Sequence, residues 1–307
     1  MEYHQPVLLD ASIEGLNIKP DGIYVDATFG GGGHSREILS RLKNGRLLAF
    51  DQDEDAKANI PEDERFIFVQ HNFRFLKNFL KYHGYPSIDG LIADLGVSSH
   101  HFDTARRGFS FRFDAGLDMR MNTSAAFSAK ELLNTYPKED LIRVFREYGE
   151  LKNAGMLAKK IVEAREQQPL NEIRDLLEAI TDCMPWHGAE NQYLAKIFQA
   201  LRIEVNKEIK YLKEMLAQTA EVLNPGGRVS VISYHSLEDR VVKNFFKTGN
   251  FEGETKTDLY GNILRPLTPV HNKVIVPDKL EIQTNNRARS ARLRIAEKPK
   301  ENGNGTK

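Results

Sequence analysis

GIYVDATFGGGGHS, residues 22–35, runs from a short apolar segment through four consecutive glycines into a stretch that can form a helix. Glycine has no side chain, so the main chain at such a turn can approach a ligand closely. A helix that begins directly after the turn favours an anionic group at its N-terminus. The sequence therefore predicts a strand, a ligand-binding turn and a helix, which together form the first part of an α/β sheet.

Further apolar segments continue this pattern along the chain and predict the rest of the sheet. Helix-compatible stretches, of which Ser35 to Leu42 is the first, separate the early segments. Strands that alternate with helices are typical of a parallel sheet with helices on both faces. We therefore expect an α/β, Rossmann-like fold with seven strands. The predicted strands are residues 22–27, 45–50, 65–70, 88–94, 227–234, 272–277 and 291–296.

The fourth and fifth strands lie about 130 residues apart, although a crossover needs only about a dozen. Residues 128–223 predict helix almost throughout, with a capping box at Ser128 and Glu131 and a helix that begins at Pro137. An apolar stripe over residues 197–223 predicts one amphipathic face that returns the chain to the sheet. The expected ranges are a sheet core of residues 1–110 and 206–297, an inserted all-helical domain of residues 111–205, and a disordered tail of residues 298–307.

Composition and charge exclude several classes of protein. The 43 basic residues balance the 43 acidic ones, which argues against a purely electrostatic nucleic-acid binder. The single cysteine, Cys183, excludes an intramolecular disulfide, and the histidines show no His-x3-His spacing, so we expect no protein-bound metal. No apolar run has the roughly 18–20 residues of a membrane span, and the first residues do not resemble a signal peptide. We therefore expect a cytoplasmic protein that has no membrane partner.

Acidic and aromatic residues follow the ends of successive predicted strands. Asp51 ends the second strand, where a carboxylate can accept hydrogen bonds from the two hydroxyls of a ribose. Phe73 follows the third strand and suits the face of an adenine, and Asp94 ends the fourth strand at the mouth of the crevice. His34, at the start of the helix, either binds the amino-acid end of S-adenosylmethionine or caps the helix. These positions predict a cofactor that contains adenosine.

Basic residues are concentrated in two parts of the chain. Residues 273–300 hold 8 basic and 3 acidic residues, and the arginines after the fourth strand alternate with Phe109, Phe111 and Phe113. Such alternation suits phosphate contact and base stacking, although phenylalanines that pack beneath solvated arginines give the same pattern. The candidate RNA-binding residues are Arg106, Arg107, Arg112, Arg120, Arg202, Arg287 and Arg289.

Longer segments of the chain resemble one family of enzymes, the bacterial MraW (RsmH) family. They are HQPVLL (4–9), DATFGGGGHS (26–35), DLGVSS (94–99), RGFSFR (107–112), LDMRM (117–121), FQALRIEVNKE (198–208), SYHSLEDRVVK (233–243) and NNRARSARLR (285–294). The resemblance implies a seven-stranded methyltransferase core with a helical insertion and S-adenosylmethionine as cofactor. It also implies methylation of N4 of a cytidine in the decoding region of 16S ribosomal RNA, within the small subunit or its precursor.

The resemblance also implies individual site residues. The cofactor contacts of the family fall on Gly32, Gly33, His34, Asp51, Phe73, Asp94 and His101. At His101 the family usually has glutamine. The amine of cytosine is a poor nucleophile because its lone pair is delocalised, so the site must accept a hydrogen bond from it and take up a proton. The candidates for this catalytic role are Asp94, Asp118 and His235.

Two alternatives to this methyltransferase stay open at the level of sequence. An NAD-dependent oxidoreductase shares the glycine turn, but the dinucleotide fingerprint, counted from Gly30, requires a third glycine where this chain has Ser35. A non-enzymatic ribosome-assembly factor could keep an inherited cofactor pocket. Asp118 could instead pair with Arg120 or Arg106, and His235 could have a structural, hydrogen-bonded role.

Overall fold

The computed structural model describes residues 6–96, 107–186 and 188–300. The chain forms two compact units, one of residues 1–96 with 209–307 and one of residues 97–208, which we call the sheet unit and the helical unit. The sequence prediction sets the limits of the insertion at residues 111 and 205. Within the described part of the chain, no helix is long and apolar enough to cross a membrane.

The sheet unit contains a seven-stranded sheet in the order β3-β2-β1-β4-β5-β7-β6. β1 to β5 are parallel, and β7 is antiparallel to both of its neighbours. The carboxyl ends of the parallel strands therefore meet at one edge, where open α/β sheets bind their ligands. The predicted Rossmann-like α/β fold and the number of strands, seven, are confirmed. The strands are β1 (Ile23–Asp26), β2 (Arg46–Asp51), β3 (Phe66–Gln70), β4 (Ile88–Asp94), β5 (Leu223–Ser233), β6 (Thr268–Pro269) and β7 (Arg292–Glu297).

Helices cover both faces of this sheet. Tyr24 and Val25 are both buried although consecutive strand residues point to opposite faces. Tyr24 packs with residues of α1 and α2, whereas Val25 packs with residues of α3, α9 and α10. In the described residues, the helices are α1 (Leu9–Leu16), α2 (Gly33–Arg41), α3 (Leu76–Tyr82), α4 (Ala129–Thr135), α5 (Lys138–Glu147), α6 (Ala154–Gln167), α7 (Ile173–Ala179), α8 (Glu190–Asn206), α9 (Glu208–Val222), α10 (Ser236–Thr248) and α11 (Lys279–Thr284).

The sixth strand lies elsewhere than the sequence predicts. Residues 272–277 do not form a strand; Ile275 makes one isolated bridge to β7, and Val276 is exposed. The edge of the sheet is formed instead by Thr268 and Pro269, which pair with the end of β7. Proline is tolerated at an edge because its missing N–H would face solvent there. The prediction of a strand at residues 272–277 was therefore wrong.

The helical unit has its own apolar core. Leu132, Phe145, Leu157 and Leu201, from four of its helices, are fully buried in this core. The predicted capping box is confirmed, because the Ser128 side chain caps the start of α4 and Glu131 returns a bond to the Ser128 main chain. Pro137 is the N-cap of α5 rather than its first helical residue.

The amphipathic stripe predicted over residues 197–223 is divided between two helices. α8 ends at Asn206, and Lys207 adopts a left-handed conformation with φ of 53° before α9 begins. The Lys207 ammonium is 2.8 Å from a carboxylate oxygen of Glu204, which holds this residue in the break. The apolar spacing continues through the break, so periodicity alone could not locate it.

Candidate active site

Three side chains of the sheet unit make hydrogen bonds to the main chain of the glycine turn after β1. The two carboxylate oxygens of Asp51 accept the main-chain N–H groups of Gly30 at 2.7 Å and Asp53 at 2.8 Å. The Asn59 amide donates to the carbonyl of Gly30 at 3.0 Å, and the Arg36 guanidinium donates to the carbonyl of Gly31 at 2.8 Å. Asp51 therefore orders the turn in addition to its predicted role toward a ribose.

The four glycines serve different purposes in this turn. Gly30 and Gly32 have φ of +49° and +74°, a backbone conformation that residues other than glycine rarely adopt. A Cβ on Gly33 would lie 2.1 Å from the ring of Pro6. A Cβ on Gly31 would meet no atom within 4 Å. Gly33 is therefore required by the packing of the chain on itself, while the space beside Gly31 is open to a ligand.

A buried network connects the ends of β1 and β4. The carboxylate of Asp26 accepts the hydroxyl of Ser35 at 2.7 Å and the main-chain N–H of Thr28 at 3.0 Å. The Thr28 hydroxyl in turn accepts the main-chain N–H of Asp94 at 2.6 Å. Burial raises the pKa of Asp26. Sequence analysis did not identify this network, although a polar pair at the end of a buried strand and the start of its helix is a signal for it.

His34 is a buried, neutral side chain in the first turn of α2. Its Nε2 lies 3.2 Å from the carbonyl oxygen of Val7, so Nε2 carries the proton and Nδ1 is an acceptor. Nδ1 faces Oδ2 of Asp94 at 3.9 Å. Burial lowers the pKa of His34, which favours the uncharged ring. The predicted alternative of a helix cap does not hold, because Gly32 is the N-cap of α2 and makes no side-chain bond.

Asp94 lies at the carboxyl end of β4, and the described residues donate a hydrogen bond to only one of its two carboxylate oxygens. Oδ1 accepts the hydroxyl of Tyr234 at 2.7 Å, and among the described residues Oδ2 accepts no hydrogen bond. The side chain as a whole is 25% exposed. Burial raises the pKa of Asp94 to about 7, although the bond from Tyr234 partly opposes this and the charge of Glu238 adds to it.

Residues after β5 complete the polar cluster, and two of them were missed by sequence analysis. Tyr234 follows the strand directly, and Oε2 of Glu238 accepts its main-chain N–H at 2.9 Å. His235 is the N-cap of α10; its Nδ1 faces the main-chain N–H of Glu238, and its Nε2 lies 3.2 Å from Oε1 of the same residue. These contacts are of the structural, hydrogen-bonded kind that sequence analysis gave as the alternative for His235. Glu238 is the third helical residue of a capping box, which is the signal that could have identified it.

Phe73 begins a short 3-10 helix, Phe73–Phe75, after β3. It is half-buried against the core of the sheet unit. The next residue, Arg74, lies between the rings of Phe75 and Tyr211 and donates to the Tyr211 hydroxyl at 2.8 Å. These contacts fix the segment that carries the predicted adenine contact.

Three candidate residues of the helical unit are held by internal partners. The Arg120 guanidinium donates to both carboxylate oxygens of Asp118, at 2.7 and 2.8 Å. Burial alone would raise the pKa of Asp118, but the bonds from Arg120 outweigh it and lower the pKa. Arg107 is buried and donates to the carbonyls of Arg120 and Met121. Asp118 and Arg120 therefore form the ion pair that sequence analysis gave as the alternative to catalysis.

The remaining arginine candidates differ in their surroundings. Arg202 donates two hydrogen bonds of 2.9 Å to the carboxylate of Glu208. Arg112, Arg287 and Arg289 are exposed. His101 and Arg106 lie outside the described residues.

Comparison with known proteins identifies the family of this chain. A family model described as the MraW methylase family matches residues 1–299. The chain is 60% identical over 301 residues to ribosomal RNA small subunit methyltransferase H of Bacteroides thetaiotaomicron, which covers 97% of this chain and 98% of that protein. It is 59% identical over 299 residues to the protein of the same name from Flavobacterium johnsoniae, with coverage of 97% and 98%.

Similarity to solved structures is much weaker. An rRNA methylase from Streptococcus thermophilus aligns with 95% of this chain and 93% of its own, at 13% identity and a TM-score of 0.40. The family is therefore established by sequence. Because the family model and relatives at about 60% identity both cover nearly the whole chain, this protein belongs to the MraW methylase family.

Proposed function

We propose that this protein transfers a methyl group from S-adenosylmethionine to N4 of a cytidine in 16S ribosomal RNA of the small subunit, in the cytoplasm. Membership of the MraW methylase family and the names of the relatives support the reaction and the substrate class. The observation that carries the proposal is Asp94, whose Oδ2 accepts no bond from the described residues and lies at the ligand-binding edge of the sheet.

The residues around the glycine turn fit S-adenosylmethionine. The space beside Gly31 admits a ligand, and the carboxylate of Asp51 accepts hydrogen bonds from the ribose hydroxyls while it holds the turn. Phe73 covers the adenine, and the unprotonated Nδ1 of His34 accepts a hydrogen bond from the ammonium group of the amino-acid end. When bound, the cofactor supplies an electrophilic methyl group on a sulfonium. Gly32, Gly33 and His101 complete the set of expected contacts.

Asp94 prepares the amine for the transfer. Its Oδ2 accepts a hydrogen bond from the N4 amine, which turns the nitrogen lone pair out of conjugation and toward the methyl group. As the nitrogen–carbon bond forms and the sulfur–carbon bond breaks, the amine becomes acidic and its proton passes to the carboxylate. A pKa of about 7 suits a group that must accept this proton near neutral pH.

Exposed arginines in both units supply the RNA contacts. In the helical unit, Arg112 stands beside Phe113, which is 46% exposed and available for stacking on a base. In the sheet unit, Arg287 and Arg289 extend from one short 3-10 helix. The target base must be unstacked or single-stranded to be methylated, and each of these groups of arginines can contact the phosphate backbone of the RNA. Neighbouring arginines at residues 292 and 294 are paired with Asp239 and support the segment instead.

Methyl transfer to subunits from cells that lack this protein tests the proposal. Labelled S-adenosylmethionine is supplied, and the modified nucleosides are identified by mass spectrometry. We expect label on cytidine N4 at one decoding-region site and a fall in kcat of at least about 100-fold in Asp94→Asn at saturating cofactor. Asp118→Asn and His235→Gln should retain the chemical step. Cofactor binding without any transfer would favour the assembly-factor alternative.

A further inference from the structure

We propose that Tyr234 is a positioning residue, whose hydroxyl fixes the carboxylate of Asp94 so that Oδ2 faces the substrate amine. The inference rests on the role of Asp94 in the proposed function. It concerns a side chain that reaches the site from β5, the strand beside the one that carries Asp94.

The structure holds Tyr234 at several points. Its hydroxyl lies 2.7 Å from Oδ1 of Asp94, and Glu238 accepts its main-chain N–H at 2.9 Å. Its ring packs against the apolar cluster that contains Ile232 and Leu293, and a Cβ built on Gly96 would lie 3.3 Å from the ring. A hydroxyl fixed in this way cannot follow Asp94 into another rotamer.

The hydrogen bond has one direction whenever Asp94 is ionised. Burial and the neighbouring carboxylate of Asp94 hold the pKa of Tyr234 well above its usual value, so the phenol keeps its proton and donates it. Asp94 presents Oδ2 in one orientation, because its Oδ1 accepts the Tyr234 hydroxyl and its main-chain N–H donates to the Thr28 hydroxyl. Tyr234 thereby makes Oδ2 the acceptor for the amine.

The same bond favours the ionised form of Asp94 against its surroundings. Among the residues that the structure describes, the titratable groups that face Asp94 are His34 from α2, Asp26 from β1, Tyr234 after β5 and Glu238 from α10. His34 is neutral, and the two acids disfavour a further negative charge nearby. A donor to Oδ1 stabilises the ionised carboxylate, so its loss should shift the titration of Asp94 to higher pH.

Tyr234→Phe removes the hydroxyl and keeps the ring, which separates positioning from packing. Tyr24→Phe is the matched control, because Tyr24 is a buried tyrosine of the sheet unit whose hydroxyl accepts the N–H of Lys19 away from the site. In Tyr234→Phe we expect the acid limb of the kcat profile to move up by about one pH unit. At pH 7, the shift alone should lower kcat about fivefold, because the ionised fraction of Asp94 falls from about one half to about one tenth. At pH 9 the carboxylate is ionised but no longer held, so kcat should stay below the wild-type value, with unchanged cofactor affinity. Tyr24→Phe should follow the wild-type profile.

A second measurement keeps the inference testable independently of RNA methylation. Carbon-13 labelling of aspartate side chains, with the Asp94 resonance assigned from Asp94→Asn, gives the titration of this carboxyl by NMR without substrate. The midpoint should rise in Tyr234→Phe and stay unchanged in Tyr24→Phe. An unchanged midpoint in Tyr234→Phe, or a kcat at pH 9 equal to that of the wild type, would overturn the inference. Absence of transfer by the wild type with a shifted midpoint would overturn the proposed function alone.

Discussion

Replacement of Asp94 by asparagine should stabilise the fold while it removes the carboxylate that accepts the hydrogen bond and the proton of the amine. The asparagine oxygen can still accept the Tyr234 hydroxyl, and its amide group then occupies the position of Oδ2, facing the unprotonated Nδ1 of His34. No buried hydrogen bond of the wild type is lost. What disappears is a carboxylate that folding places where its charge is disfavoured.

The size of the effect follows from the titration of Asp94. Its pKa rises from 3.8 to about 7, so the folded protein binds this proton more tightly than the unfolded chain does. Wild-type stability therefore decreases as pH rises from about 4 through about 7. The variant does not lose stability in this way, because asparagine does not titrate. A pKa rise of this size corresponds to a loss of roughly 4 kcal/mol in the free energy of unfolding. This value is an upper limit because the Asp94 side chain is 25% exposed. The variant should match the wild type near pH 4 and exceed it by about 1–4 kcal/mol at pH 8.

Thermal unfolding at pH 4, 6 and 8 measures this difference. One kcal/mol corresponds to about 2–4 °C in Tm for a unit of this size, so a rise of several degrees is expected at pH 8. Asp118→Asn is the control with the opposite sign. The pKa of Asp118 is lowered, so this variant should be less stable than the wild type at pH 8, and the gap should close as pH falls below about 4. A lower Tm for Asp94→Asn at pH 8, or the same difference at all three values, would refute the reasoning.

Two further pairs of variants test the glycine turn. Gly33→Ala places a methyl group 2.1 Å from the Pro6 ring and should lower stability by about 1–3 kcal/mol in thermal unfolding. Gly31→Ala should leave Tm unchanged but weaken S-adenosylmethionine binding in calorimetry; wild-type affinity would place the ligand elsewhere. Asp51→Asn should raise the cofactor Kd about 10- to 100-fold, since loss of a charged acceptor removes about 1.5–3 kcal/mol. Asp21→Asn, an exposed aspartate before β1, should bind normally, and a similar loss there would indicate a general effect on folding.

The ends of the parallel strands could be predicted from the sequence because two local signals coincide there. Short apolar runs mark the buried strands, and the polar residue that stops each run marks the sheet edge. This reasoning placed Asp51 and Asp94 at the edge where the structure has them. It did not find β6, because a strand of two residues is too short to show periodicity. Residues 272–277 have the composition of a strand, but in the fold they do not pair along a neighbouring strand except at one isolated bridge.

Residues whose role depends on a distant partner were beyond prediction from the sequence alone. Arg107 belongs to an alternating basic and aromatic pattern, yet its guanidinium is buried against carbonyls 13 and 14 residues away in the chain. Tyr234 contacts Asp94 across 140 residues. The residue type shows which hydrogen bonds a side chain can make. Only the fold determines whether its partner is a carbonyl, a carboxylate or a ligand.

Burial of an acid does not by itself identify a functional residue in this protein. Asp26 and Asp94 are both buried enough to have raised pKa values, but both oxygens of Asp26 accept hydrogen bonds from the protein. Asp118 and Asp239 are paired with arginines, and their pKa values are lowered. Asp94 combines a raised pKa with a partly exposed side chain, one oxygen of which accepts no hydrogen bond from a described residue. A carboxylate oxygen that accepts no hydrogen bond from the protein lowers the stability of the fold. A substrate that donates a hydrogen bond to this oxygen would explain why the protein has an acid at this position despite the lower stability.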